Sequence, residues 1–326
     1  MNGSRGLSRS SGLLLGFAAD RLLGDPRRGH PVAAFGTVAA RLERSLHADS
    51  RARGVLYTSL LVGGCAALGV GVERATRGRP VLHAAVTAAA TWTVLGGRSL
   101  EREALAVHRF LDEDDLDGAR HRLTYLVGRD TSSLSPQQIT RAVVESVAEN
   151  TSDAVTAPLV WGAVAGVPGL LAHRASNTLD AMVGYRNARH QNFGWASARL
   201  DDLLNLPGSR LAGLAVLGAA PSHAREAWRV WRRDAAGHPS PNGGVVESAF
   251  AGALEIVLGG TNRYGERVEH RPTMGDGPPP TPGDIPRATD LATRVGAAAA
   301  VATSALAAVT GRSSWRWRAG GARPAG

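Results

Sequence analysis

Lysine is absent from this chain of 326 residues, and all 37 basic side chains are arginine. That excludes lysine Schiff-base chemistry and lysine phosphate ligands. It leaves guanidinium groups, which suit bidentate contacts to phosphate or carboxylate. Cysteine is reduced to Cys65 in an apolar stretch, so an intrachain disulfide and a cysteine-based metal site are excluded. The ten histidines include no His-x-x-x-His or His-Glu-x-x-His spacing, and nothing points to zinc. Aromatics make up only 5% and the arginines are spread over all the loops, which argues against a nucleic-acid partner. The formal net charge of +9 instead suits anionic lipid or an anionic substrate.

Charge is also missing locally. Residues 54–72, 81–97, 154–172 and 295–311 carry no Asp, Glu or Arg, each near the ~17–25 residues a helix needs to cross a bilayer. A fifth apolar stretch, 211–222, is too short alone. All are rich in Ala and Gly, which lets helices pack closely. The mean hydropathy of −0.10 fits buried helices of a soluble protein, but the segment lengths and charge gaps favour membrane helices. Arginine in every loop leaves orientation unassigned. Pro158 and Gly166-Val167-Pro168-Gly169 interrupt the third segment, which suggests a broken or re-entrant span whose polar edges stay on one side. The N-terminus imitates a signal peptide, but its apolar core at 12–19 is short and cleavage is not expected. Residues 275–286 read as a flexible Gly/Pro loop and 312–326 as a disordered basic tail, with Trp315 and Trp317 as interface anchors. The expected fold class is all-α: one polytopic membrane helical bundle over residues 1–326, with amphipathic and re-entrant segments and polar catalytic loops, in the cell membrane.

Polar words crowd the edges of these apolar segments. Asp25-Pro26 and His30-Pro31 fix extended or turn backbone after the first helix. Ser135, Pro136 and Gln138 spell a helix start with a capping box. On that helix Arg141, Glu145 and Glu149 share a face at spacing four, and Asp153 continues the row if the helix does. A solvated salt-bridge ladder would look the same, but this row runs into Asn150 and an apolar segment, where an unpaired carboxylate is costly. Asn177, Asp180 and Gly184 share a second face, followed by Tyr185 and Arg186, and Arg199, Asp201, Asp202 and Asn205 repeat the chemistry. Asn with Asp suits Mg²⁺, which takes oxygen ligands alongside waters and substrate phosphates. His238-Pro239-Ser240-Pro241-Asn242 opens an Ala/Gly-rich helix carrying Glu247, and the Gly259–Gly265 run reads as a turn able to cradle anions. From the residues alone, the reading stops at a membrane site that handles Mg²⁺ and phosphate.

These words in this order resemble the adenosylcobinamide-phosphate synthase family (CobD/CbiB). They are DRLLGDPRRGHPVAAFG at 20–36, GRDTSSL at 128–134, ESVAENTSDAVTAPL at 145–159, SNTLDAMVGY at 176–185, ARLDDLLNLPGSRL at 198–211, then HPSPNGG and GGTNRYG. The ordered set spans nearly the whole chain. It departs locally at Gly243-Gly244-Val245-Val246, where the family pattern carries Ala, Gly, Trp and Pro. The resemblance implies ATP-dependent amide ligation: a propionate of adenosylcobyric acid is joined to aminopropanol or its phosphate, after activation as an acyl phosphate or adenylate. It implies Mg²⁺ and ATP as cofactors, with the corrinoid, the amine and the lipid bilayer as partners, and leaves self-association open. Among matching residues, Glu149, Asp153 and Asp180 are the catalytic candidates. Asp25, Arg129, Asp130, Asn150, Asn177, Tyr185, Arg186, Asn242, Asn262 and Arg263 are candidates for substrate or nucleotide binding, and Asp201 and Asp202 for metal.

Two rival readings are weaker. A non-catalytic membrane sensor related to the same family would need the helices but not the acidic and amide words, which are present. A Mg²⁺-dependent phosphotransferase of the CDP-alcohol type is suggested by Asp117-Gly118-Ala119-Arg120, but the internal spacing is wrong.

Overall fold

The computed structural model describes residues 2–26, 29–128, 130–185, 187–264 and 267–313, with the side chains of 2–4, 262–264, 267–270 and 311–313 left out of the description. Helices dominate. In chain order they are α1 (Asn2–Leu23), α2 (Pro31–Leu46), α3 (Arg51–Ala75), α4 (Pro80–Val94), α5 (Gly97–Asp112), α6 (Leu116–Leu123) and α7 (Pro136–Thr151). A π turn (Ser152–Thr156) leads to α8 (Ala157–Ala165), α9 (Val167–Val183), α10 (Trp195–Ala219), α11 (Ala224–Asp234) and α12 (Gly243–Leu254). A small antiparallel hairpin, β1 (Leu258–Tyr264) and β2 (Arg267–Met274), precedes α13 (Asp284–Ser313). The chain forms two compact units, one of residues 1–95, 158–201 and 300–326, the other of 96–157 and 202–299.

Among the described residues, two helices are long and apolar enough to cross a membrane: α3 and the Asp284–Thr310 stretch of α13. A third span arises if Trp195–Ala219 and Pro221–Gly237, bent by 102°, count as one. The exposed side chains of α3 include Val55, Leu56, Leu60 and Leu68, a surface that suits lipid better than water. The segments 54–72 and 295–311 therefore form long helices as expected. Neither of the other two forms one long helix, and for 154–172 an interruption at Gly166 is what the sequence predicts. Segment 81–97 becomes α4, whose 15 residues reach only about 22 Å at 1.5 Å per residue. Segment 154–172 is divided among the π turn, α8 and α9 by a break at Gly166, whose φ is +70°.

In the first unit, glycines let helices approach. A Cβ on Gly12 or Gly16 of α1 would lie 2.5 or 2.4 Å from the Cβ of Thr87 or Thr91 on α4, a small-xxx-small contact. One on Gly69 of α3 would lie 2.5 Å from the Pro168 Cα at the start of α9. Tyr57, Phe193, Leu179 and Ala39 close a small core between α2, α3 and α9. The break at Gly166 is held from both sides by charge. Arg9 donates to the Ala163 and Val164 carbonyls (3.3 and 3.4 Å), the free end of α8. Glu73 accepts from the Val167 N–H (3.3 Å), the free start of α9. Each charge has the sign that its helix end favours. Glu73 is buried, and Arg5, Arg9 and His83 compensate it.

In the second unit a larger core forms around α7 and α12. Val143, Val147, Val246, Phe250, Leu254 and Ile285 are all buried there. Every residue of α12 is buried. Gly244 and Gly252 let it press on its neighbours: a Cβ on Gly252 would lie 2.6 Å from the Ala227 Cα of α11.

Replacing Glu73 with Ala would leave the partly buried Arg9 beside an uncapped α9 start. The expected loss is about 3 kcal/mol, read as a fall in the thermal midpoint of detergent-purified protein. An unchanged midpoint would show that these caps carry little of the unit's stability.

Candidate active site

The second unit contains a cavity of about 150 Å³ lined by Glu145, Glu149 and Ser146 of α7, Glu247 of α12, Arg271 of β2, and the 126–128 segment. Its walls follow from local signals. Ser135 accepts from the Gln138 N–H and Gln138 accepts from the Ser135 N–H, the reciprocal box that starts α7. From that start the spacing of four carries Arg141, Glu145 and Glu149 along one side. The His238–Asn242 turn starts α12 and sets Glu247 one turn inside it.

The three carboxylates differ in what holds them. Glu145 accepts from the Gly259 N–H (2.9 Å) and lies 3.6 Å from Arg141 Nε. Gly259 sits at φ +84°, a conformation open to glycine at no steric cost. Glu247 is 1% exposed and meets His238 Nε2 at 3.4 Å. The Ser240 N–H donates to His238 Nδ1 (3.1 Å), which leaves Nε2 to face Glu247. Arg271 Nη1 lies 3.5 Å from the same nitrogen. Glu149 has no hydrogen bond from any described side chain. Burial pushes its carboxyl above the usual range; the nearby Arg271 opposes that rise and Glu145 adds to it. A carboxyl so held is a group poised to take a proton.

The other residues singled out in the sequence fall in various places. In the second unit, the Asn150 amide donates to the Ser146 carbonyl (2.9 Å) of its own helix. Asp153 lies in the π turn, so the row at spacing four ends at Glu149. Such turns recur at functional sites because they re-aim side chains. Asp130 is exposed and accepts from the Ser132 N–H (2.9 Å), which holds its carboxyl below the usual range. Asn242 is a buried clamp. Its Oδ1 accepts from Ser209 (2.9 Å) and Arg210 (2.8 Å), and its Nδ2 donates to the Asp202 carbonyl (2.7 Å). Asn262 and Arg263 belong to β1 by their backbone, where the sequence reads as a turn, but their side chains lie outside the description.

In the first unit, Asp25 Oδ1 lies 3.6 Å from His30 Nε2, while His30 Nδ1 accepts from the Val32 N–H and caps α2. Asn177 and Asp180 sit partly buried on α9, Tyr185 is exposed beyond it, and Asp201 is buried. A Cβ at Gly184 would lie 1.9 Å from Asp180 Oδ1, so that position leaves no room for a side chain. Arg129 and Arg186 lie outside the described residues. Among the described residues no group of three His, Cys, Asp or Glu is arranged around a metal position. Mg²⁺ bound with phosphates and waters needs only one or two carboxylates.

Glu145 and His238 stand in the quoted words, and Glu247 on the helix that the His238 turn opens, but none was among the candidates; their signal was the shared helix face and the helix start. Arg271 belongs to no motif, and only the hairpin brings it to the cavity.

A family model described as CobD/Cbib protein matches residues 13–292. A Mycobacterium tuberculosis protein named Cobalamin biosynthesis protein CobD is 49% identical over 298 residues, which cover 90% of this chain and 94% of that one. Proteins of the same name from Geobacter metallireducens and Rhodobacter capsulatus are 47% and 41% identical, over 79% and 86% of this chain and 83% and 91% of theirs. No solved structure matches.

A carboxyl whose folded-state pKa is raised costs stability as pH climbs from its ordinary value, about 4.3 for glutamate, toward the raised one. Glu149→Gln removes that cost. The variant is expected to match the parent in acid and to become the more stable of the two as pH rises to neutrality. Thermal midpoints across that range check it; a difference that does not change with pH would contradict the raised value.

Proposed function

Because this chain belongs to the CobD/CbiB family of cobalamin-biosynthesis proteins, we propose that it makes an amide bond between a propionate of adenosylcobyric acid and aminopropanol or aminopropanol phosphate. The observation that carries the reading is the three-glutamate cavity of about 150 Å³. That volume is below the ~300–1,000 Å³ of ordinary small-molecule sites. It suits an amine of a few heavy atoms and is too small for a corrin ring or a whole nucleotide. Its acidic lining suits an ammonium group.

Carboxylate activation falls to Mg²⁺-ATP. The cavity is too small and too acidic to enclose that group, and no residue lining it is assigned to it. The chain's own residues handle the amine. Glu145 and Glu247, fixed by Gly259 and His238, orient the ammonium. Glu149, with its raised proton affinity, takes one proton from the ammonium and so frees the nitrogen lone pair to attack the activated carbonyl carbon. The C–N bond forms, the bond from carbon to its leaving oxygen breaks, and of the two protons the nitrogen sheds, one ends on the Glu149 carboxylate and the other departs with the leaving oxygen. Arg271 is the guanidinium lining the cavity, and it would meet the phosphate of a phosphorylated amine.

Detergent-purified protein given adenosylcobyric acid, Mg²⁺-ATP and either amine should yield a product of amide mass. Glu149→Gln should slow it by about 10²–10⁴-fold, the range for loss of a general base. Arg271→Gln should raise KM for the phosphorylated amine alone. Corrinoid binding without product from either amine would replace the enzyme reading with a sensor; full activity in Glu149→Gln would remove that residue from the chemistry.

A further inference from the structure

The first unit holds a second, larger cavity that the ligation reading does not use. It measures about 500 Å³ and is open to solvent. Arg5 and Arg9 of α1, Arg74 of the last α3 turn and Arg77 just beyond it line it together with the apolar Val70, Val164, Ala165 and Pro168. Glu73 is the one carboxylate among the lining residues, and it is already engaged. It is 6% exposed and takes Arg5, Arg9 and the Val167 N–H while touching His83. Arg74 and Arg77 are exposed and have no ion-pair partner among the described residues. Four guanidinium groups against one satisfied carboxylate leave a positive excess around an open volume. Their mutual repulsion falls when an anion enters.

We propose that this cavity is a binding site for a phosphate group. Guanidinium forks match phosphate oxygens in pairs. The site lies at the end of α3, a helix apolar and long enough to cross a membrane, a level at which lipid phosphates sit. Its apolar lining residues give the glycerol end of a lipid a surface to lie on. The same arginines would also take a free phosphate, so the shared chemistry is the phosphate and the two sources are told apart by experiment. The site stands independently of the ligation reading, and its readout is binding rather than turnover.

Native mass spectrometry of the full chain, carrying phosphatidylglycerol or phosphatidylcholine, reads the site directly. Each arginine near an anionic headgroup is worth about fivefold in affinity. Retention of phosphatidylglycerol should therefore weaken about thirtyfold in the Arg74→Gln/Arg77→Gln double variant, by the same per-arginine figure. Arg79→Gln is the control: Arg79 is exposed in the same loop but does not line the cavity, and its change should be clearly smaller than that of Arg77→Gln. Bound phosphatidylglycerol that resists inorganic phosphate and ATP makes lipid the source. Displacement by either, or binding of inorganic phosphate that the double variant loses, makes a soluble phosphate the source. An equal effect of Arg77→Gln and Arg79→Gln, or no arginine-dependent binding of lipid or phosphate, overturns the proposal.

Discussion

A carboxylate enclosed by apolar helices persists only where hydrogen bonds and opposite charge replace the water it has lost. Much of this protein is arranged around that constraint. Glu73 meets it fully, with two arginines, a histidine and a backbone amide. Glu145 meets it with an amide and an arginine. Glu149 does not meet it and holds its proton more tightly as a result. The same chemical group is thus a charged structural brace in one place and a carboxyl of raised proton affinity in another. The number and kind of neighbours decide which.

The second organising influence is the scarcity of bulk. Alanine and glycine fill the helices, so side chains contribute little volume and the backbones must come close. Gly12 and Gly16 bring α1 onto α4, and Gly252 brings α12 onto α11. Close backbones place short polar side chains within bonding reach across helices, as Thr58 and Ser197 show at 2.8 Å and Ser8 and His83 at the same distance. In a membrane, where lipid is as apolar as leucine, such contacts and tight packing are what hold helices together.

The legible parts of the sequence were those governed by short-range rules. The capping box of α7, the row of Arg141, Glu145 and Glu149, and the glycine break at 166 all depend on residues a few positions apart. The α4 segment fell short because Leu95-Gly96 ends the helix, a local stop that an uncharged window conceals. Asp153 left its expected row because a π turn adds a residue to the repeat, and side-chain spacing alone does not reveal that. The hairpin was read as a turn because Gly259 and Gly260 dominate its first strand, where they sit at positive φ beside an irregular register. Arg271 was unreadable for a different reason: it meets Glu149 across more than a hundred residues, through a pairing that no local pattern encodes.

The joint at Gly166 has a mechanical side. A glycine between two helices ordinarily acts as a swivel. Here Arg9 grips the carbonyls on one side of it, Glu73 grips the amide on the other, and the two are themselves paired. Swinging α8 against α9 would tear one cap from its helix end and pull opposite charges apart. The corner is therefore a weld, and any bending of this unit has to come from other connections along the chain.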